Sequence, residues 1–191
     1  MEKDRVLAFS DGVIAIIITI MVLELRPPHE PTLEALRALA PIFGSYALSF
    51  TYIAIYWNNH HHMLYTAERV NGAILWANMA LLFCLSLVPF TTAWMGETAG
   101  GAIPTAIYGV SLLLPAIAFY VLQTLIVREH PGGVLSRAIG EDWKGKLSPL
   151  LYIAGIGLAF LKPAMAQAIF VLVALIWFVP DRRIERMIGS Q

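Results

Sequence analysis

The sequence predicts an all-α, polytopic membrane protein with six transmembrane helices, forming a single domain over residues 1–191. Three observations carry this. Only 14% of residues are charged and 58% are hydrophobic, whereas a soluble domain carries roughly 25% charged residues. With a mean hydropathy of +0.69, the chain has too little charge to cover a soluble surface. Three runs without charge or histidine lie between Arg37 and His60, Arg69 and Glu97, and Glu97 and Arg128, about 22, 27 and 30 residues long. Each meets the roughly 20 residues needed to cross about 30 Å of hydrocarbon. Finally, six crossings divide the 13 basic residues ten against three. The ten include Lys3, Arg5, Arg69, Arg128, Arg137, Lys144, Lys146, Arg182, Arg183 and Arg186, and the three are Arg26, Arg37 and Lys162. The positive-inside bias then places both termini in the cytoplasm of a multi-pass plasma-membrane protein.

The first span is unusual. The uncharged stretch between Asp11 and Glu24 is about 12 residues, near 18 Å of helix, too short to cross. If Ser10 or Asp11 capped a helix starting at Gly12, the helix would fall short; the span therefore covers residues 6–25 and takes Asp11 into the membrane edge. The second, third and fourth spans are the three long runs, with Pro89 kinking the third. The last two segments, Lys146 to Lys162 and Lys162 to Asp181, enclose about 15 and 18 residues. They read as two short spans rather than one re-entrant hairpin, with Pro163 in a first helical turn and Pro180 at the helix end.

Composition excludes a soluble enzyme or a soluble nucleic-acid binder, and the net charge of zero leaves no basic footprint for nucleic acid. The sequence has no nucleophile elbow, phosphate-binding glycine loop or Thr-Val-Gly-Tyr-Gly filter. Enzymatic chemistry and bound cofactors are not expected. His60, His61 and His62 fan over about 200° of a helix and cannot converge on one metal ion. His60 is expected to face the bundle, which leaves a pH-sensing role open. The single cysteine, Cys84, reads as core packing. Asn71 and Asn78, two turns apart, are expected to bridge helices. Ile16, Thr19, Ile20 and Leu23 share one face of the first helix. Spacing alone does not separate a packing stripe from a pore stripe.

Arg5, three residues, then Phe9-Ser10-Asp11-Gly12 and an Ile/Val/Thr-rich run ending Val22-Leu23-Glu24-Leu25 resembles the pore helix of the transmembrane protein 175 potassium channels. Tyr56-Trp57, His60, Asn78, Leu82, Phe83, Pro89, Phe90 and Glu97 extend the resemblance, which covers the first half of the chain well and the second half mainly by helix count. It implies a homotetramer with a central pore lined by the first helix, with its own copies, the lipid bilayer and permeant potassium ions as partners and no nucleic acid. It also implies a narrowest ring at Ile16, a polar layer at Thr19, further rings at Ile20 and Leu23, and modest selectivity over sodium. Arg5, Phe9, Ser10, Asp11, His60 and Asn78 would form the network that fixes the pore helix. The alternative is a small proton-coupled secondary transporter using Asp11 and His60.

Overall fold

The computed structural model describes residues 2–67, 69–129, 131, 135 and 143–178. All regular structure among them is helical: α1 (Lys3–Leu23), α2 (Leu33–Ala38), α3 (Ala40–Tyr65), α4 (Gly72–Ser86), α5 (Val88–Glu97), α6 (Ala102–Glu129), α7 (Trp143–Ala159) and α8 (Pro163–Phe178). Arg137 and the stretch from Pro180 through Arg182, Arg183 and Arg186, on which part of the charge asymmetry and the last helix stop rest, lie outside the described residues.

α1 is one unbroken 21-residue helix, about 31 Å long, although its centre is dense in β-branched residues that weakly disfavour helix. In lipid every backbone group must be bonded within the segment, which outweighs that preference. Helical conformation already holds at Lys3, so Ser10 and Asp11 are mid-helix residues and not caps. Beyond the Pro27-Pro28 step, Thr32 caps α2, its hydroxyl accepting from the Ala35 N–H at 3.1 Å. Asn71 caps α4 by accepting from the Ile74 N–H at 2.9 Å. α4 and α5 form one rod interrupted at Leu87, two residues before Pro89, which has no N–H for the Leu85 carbonyl. The rod ends in a tight turn where Ala99 (φ 49°) and Gly100 (φ 75°) take left-handed backbone.

Among the described residues, three rods are both long and apolar enough to cross a membrane: Lys3–Leu23, Gly72–Glu97 and Ala102–Glu129. The six-span expectation is thus met in part. α3 has the length, 26 residues, but its hydroxyls, amides and histidines dilute its hydropathy, which counting uncharged residues ignores. α7 and α8, with 17 and 16 residues, are about 25 Å long and pack as a helical hairpin joined by Phe160, Leu161 and Lys162. Pro163 opens α8 as expected.

Two apolar cores hold the bundle. Ile14, Ile53, Leu64, Ile74, Leu81, Leu122 and Ile126 join α1, α3, α4 and α6. Phe170 centres the other, among Tyr52, Tyr108, Leu112, Tyr152 and Val173. Cys84 is only partly buried, at the margin rather than in the core. The Phe170 ring lies where helices approach closely: a Cβ at Gly155 would be 2.5 Å from its Cε1, whereas one at Gly157 would meet nothing within 4 Å. Gly155→Ala should therefore lower the thermal midpoint in detergent, costing about 1–3 kcal/mol through overpacking. Gly157→Ala should be neutral or stabilising by up to about 1 kcal/mol, the helix-propensity gain.

Candidate functional site

The motif-bearing half of α1 is held by a buried chain of polar side chains. Ser10 donates its hydroxyl hydrogen to the Val6 carbonyl at 2.8 Å, so its oxygen must accept from a neighbour. It does so from Asn78 Nδ2 at 3.0 Å. This turns Asn78 Oδ1, which can only accept, toward His60 Nε2 at 2.6 Å, so the imidazole carries its hydrogen on Nε2. Ser10, Asn78 and His60 are each 0% exposed. The chain links α1 through α4 to α3, where an unpaired polar group would be expensive. His60 Nδ1 is buried without a partner among the described residues.

Asp11, the next residue, points elsewhere. Its Oδ1 accepts from the Trp57 indole N–H at 2.9 Å, a second tie between α1 and α3. Trp57 is the partner that periodicity did not supply, although an indole N–H one turn before His60, inside a span, needs an acceptor. Lys3 adds a third tie: its ammonium donates to the Tyr65 carbonyl at 3.1 Å and lies 5.0 Å from the centre of that ring. Asn71 bridges as expected, donating to Glu129 Oε2 at 2.8 Å.

Of the six residues expected in the network, Ser10, His60 and Asn78 come together, and Asp11 sits beside them with Trp57. Arg5 and Phe9 do not join. Phe9 is 55% exposed, and Arg5 is exposed with no side-chain hydrogen bond or ion pair among the described residues. Helix phase explains this: the buried face of α1 runs through Val6, Ser10, Ile14, Ile17 and Met21, and positions 5 and 9 point away from it.

Ile16, Thr19, Ile20 and Leu23 lie on that same outward side. Leu23 is 76% exposed, Ile16 58% and Ile20 44%. Thr19 is exposed too and donates its hydroxyl hydrogen to the Ile16 carbonyl at 2.8 Å, leaving oxygen lone pairs outward. Ile17 is buried and Ile18 packs partly against the core. An open groove of about 670 Å³ runs beside the stripe, between Ile16 and Ile20 of α1 with Glu24 just past its end, and Pro89, Phe90, Trp94 and Glu97 of the α4–α5 rod. The histidine triplet splits: His60 is buried, while His61 lies against Trp57 and Tyr65, ring centres 6.0 and 6.5 Å away. No cluster of three metal-ligating side chains occurs among the described residues.

Residues 5–89 match the family model described as endosomal/lysosomal potassium channel TMEM175. A protein from Chryseobacterium sp. (strain P1-3), named a potassium channel, is 48% identical over 187 residues, covering 97% of each chain. Another so named, from Streptomyces collinus, is 31% identical over 91% of this chain and 90% of its own. Among solved structures, the crystal structure of a lysosomal potassium-selective channel TMEM175 homologue from Chamaesiphon minutus superposes with a TM-score of 0.81. It has 28% identity and covers 94% of this chain and 98% of its own.

Proposed function

This chain belongs to the TMEM175 family, and from that premise we propose that it is a potassium channel whose pore is lined by α1 from four identical subunits. Each subunit contributes six spans, with both termini in the cytoplasm of the plasma membrane. One observation carries the reading: α1 buries one face against its own bundle and turns Ile16, Thr19, Ile20 and Leu23 outward, where they stay exposed among the described residues. A helix so placed at a symmetry axis presents rings of isoleucine and leucine to the path. The groove along Phe90 and Trp94 gives the neighbouring copy a surface to pack on.

Four Ile16 side chains form the narrowest ring, which an ion passes only by shedding part of its water. Potassium sheds water at lower cost than sodium, so selectivity follows from size and dehydration and is modest. Thr19, its hydrogen spent on the Ile16 carbonyl, faces the path with an oxygen that suits a cation. Ile20 and Leu23 add apolar rings that close by dewetting, with no charged gate. Ser10, Asn78, His60 and the Asp11–Trp57 pair hold α1 in register and do not contact the ion. That both Asp11 and His60 have hydrogen-bonded partners on other helices supports the channel over a proton-coupled carrier. No enzymatic step, cofactor or bound metal is required.

Vesicles holding only this protein and loaded with potassium should lose it down its gradient to the potassium equilibrium potential, whatever pH gradient is imposed. Saturable loss that needs an opposing proton gradient would replace this reading with the carrier.

A further inference from the structure

Of the two basic residues at the start of α1, Lys3 is engaged by the end of α3, and Arg5 has no partner among the described residues. Arg5 is exposed, and its place around the helix is specific. At 100° per residue, Arg5, Gly12, Ile16 and Leu23 fall within about 40° of one another, with Arg5 about 16 Å along the axis from Ile16. The guanidinium therefore continues the same line as the two apolar rings, on the side away from the Ser10–Asn78–His60 chain that the motif suggested it would join. Gly12 between them has no side chain to interrupt the line. The other end of α1 carries the opposite charge, since Glu24 follows Leu23 and is exposed.

We propose that Arg5 sets the direction of easier flow: four copies form a cationic collar at the mouth on the side of the termini, and the pore rectifies because of it. The inference rests on α1 lining the pore. With exposed Asp4 about 100° round the helix and off the line to Ile16, the charge that faces the path is the Arg5 collar. Its positive potential thins potassium at the cytoplasmic mouth, where ions leaving the cell must gather, and leaves the Leu23 mouth unaffected. Inward current therefore exceeds outward current at equal and opposite voltages. Because the field acts through water, it is screened by salt, over about 30 Å at 0.01 M and about 3 Å at 1 M.

Inside-out patches from cells expressing the full chain test this, since they fix orientation and give access to the cytoplasmic mouth. In symmetric 20 mM potassium chloride, wild-type single-channel current at −100 mV should exceed that at +100 mV by about two- to threefold, and in 1 M the ratio should fall to about one. Arg5→Gln should bring the low-salt ratio to about one by raising outward current, Arg5→Lys should keep it, and Arg5→Glu should invert it. A wild-type ratio that does not change with salt would overturn the collar even if no variant assembles, as would an Arg5→Gln channel that rectifies like wild type. Both results presuppose potassium currents, so they differ from a failure of the pore itself, which would abolish current altogether.

Discussion

Asn78→Leu should nearly abolish recovery of folded protein, whereas Asn71→Leu, on the same helix two turns earlier, should be tolerated. Asn78 is fully buried and both its polar atoms are used. Leucine of similar size would leave the Ser10 oxygen without a donor and the His60 Nε2–H without an acceptor. Each orphaned buried group costs about 1–3 kcal/mol, and the two together consume much of a typical stability of about 5–15 kcal/mol. Asn71 is an exposed helix cap, and its loss costs about 1 kcal/mol. Thermal unfolding of the two variants in detergent measures the difference. Equal midpoints would mean that the Ser10–Asn78–His60 chain does not hold α1.

The second large effect separates two adjacent isoleucines. Ile16→Asn should raise potassium conductance severalfold and bring the potassium-to-sodium permeability ratio close to one, with assembly intact. The residue is 58% exposed in the subunit, so the amide displaces no packing and hydrates the ring. Ile17 is 3% exposed and faces the bundle core. Asn there buries an amide without a partner, costing about 1–3 kcal/mol in addition to the lost apolar contact, and should reduce assembled protein rather than alter selectivity. Bilayer recordings in two salts, alongside size-exclusion profiles, read both effects. Wild-type selectivity from a well-assembled Ile16→Asn protein would remove this face from the pore.

Much of the fold was legible because lipid constrains sequence more tightly than water does. The α4–α5 rod, α6 and the inclusion of Asp11 in α1 all followed from how many residues a membrane requires. α3 and the short α7–α8 pair were less legible, since a helix covered by its neighbours needs neither full length nor uniform apolarity, and Ser49, Thr92 and Tyr108 hydrogen-bond to one another in the bundle. Spacing put Ile16, Thr19, Ile20 and Leu23 on one face of α1, but which way that face pointed needed the packed structure. The Asp11–Trp57 bond spans 46 positions, and no local pattern encodes such a pairing. The motif places Arg5 in line with Ser10 and Asp11 in sequence, yet five residues turn a helix by about 500° and put Arg5 on the opposite side from Ser10. The seat of Phe170 against Gly109 and Gly155 was likewise invisible, because it joins three helices.

This chain alone should make a potassium-selective pore. Purified protein in a planar bilayer, with potassium chloride on one side and sodium chloride on the other, tests it most directly. Unitary current steps should appear, with a reversal potential shifted toward potassium equilibrium by tens of millivolts. Steps that reverse at zero, or no steps from protein that is demonstrably folded and inserted, would contradict it.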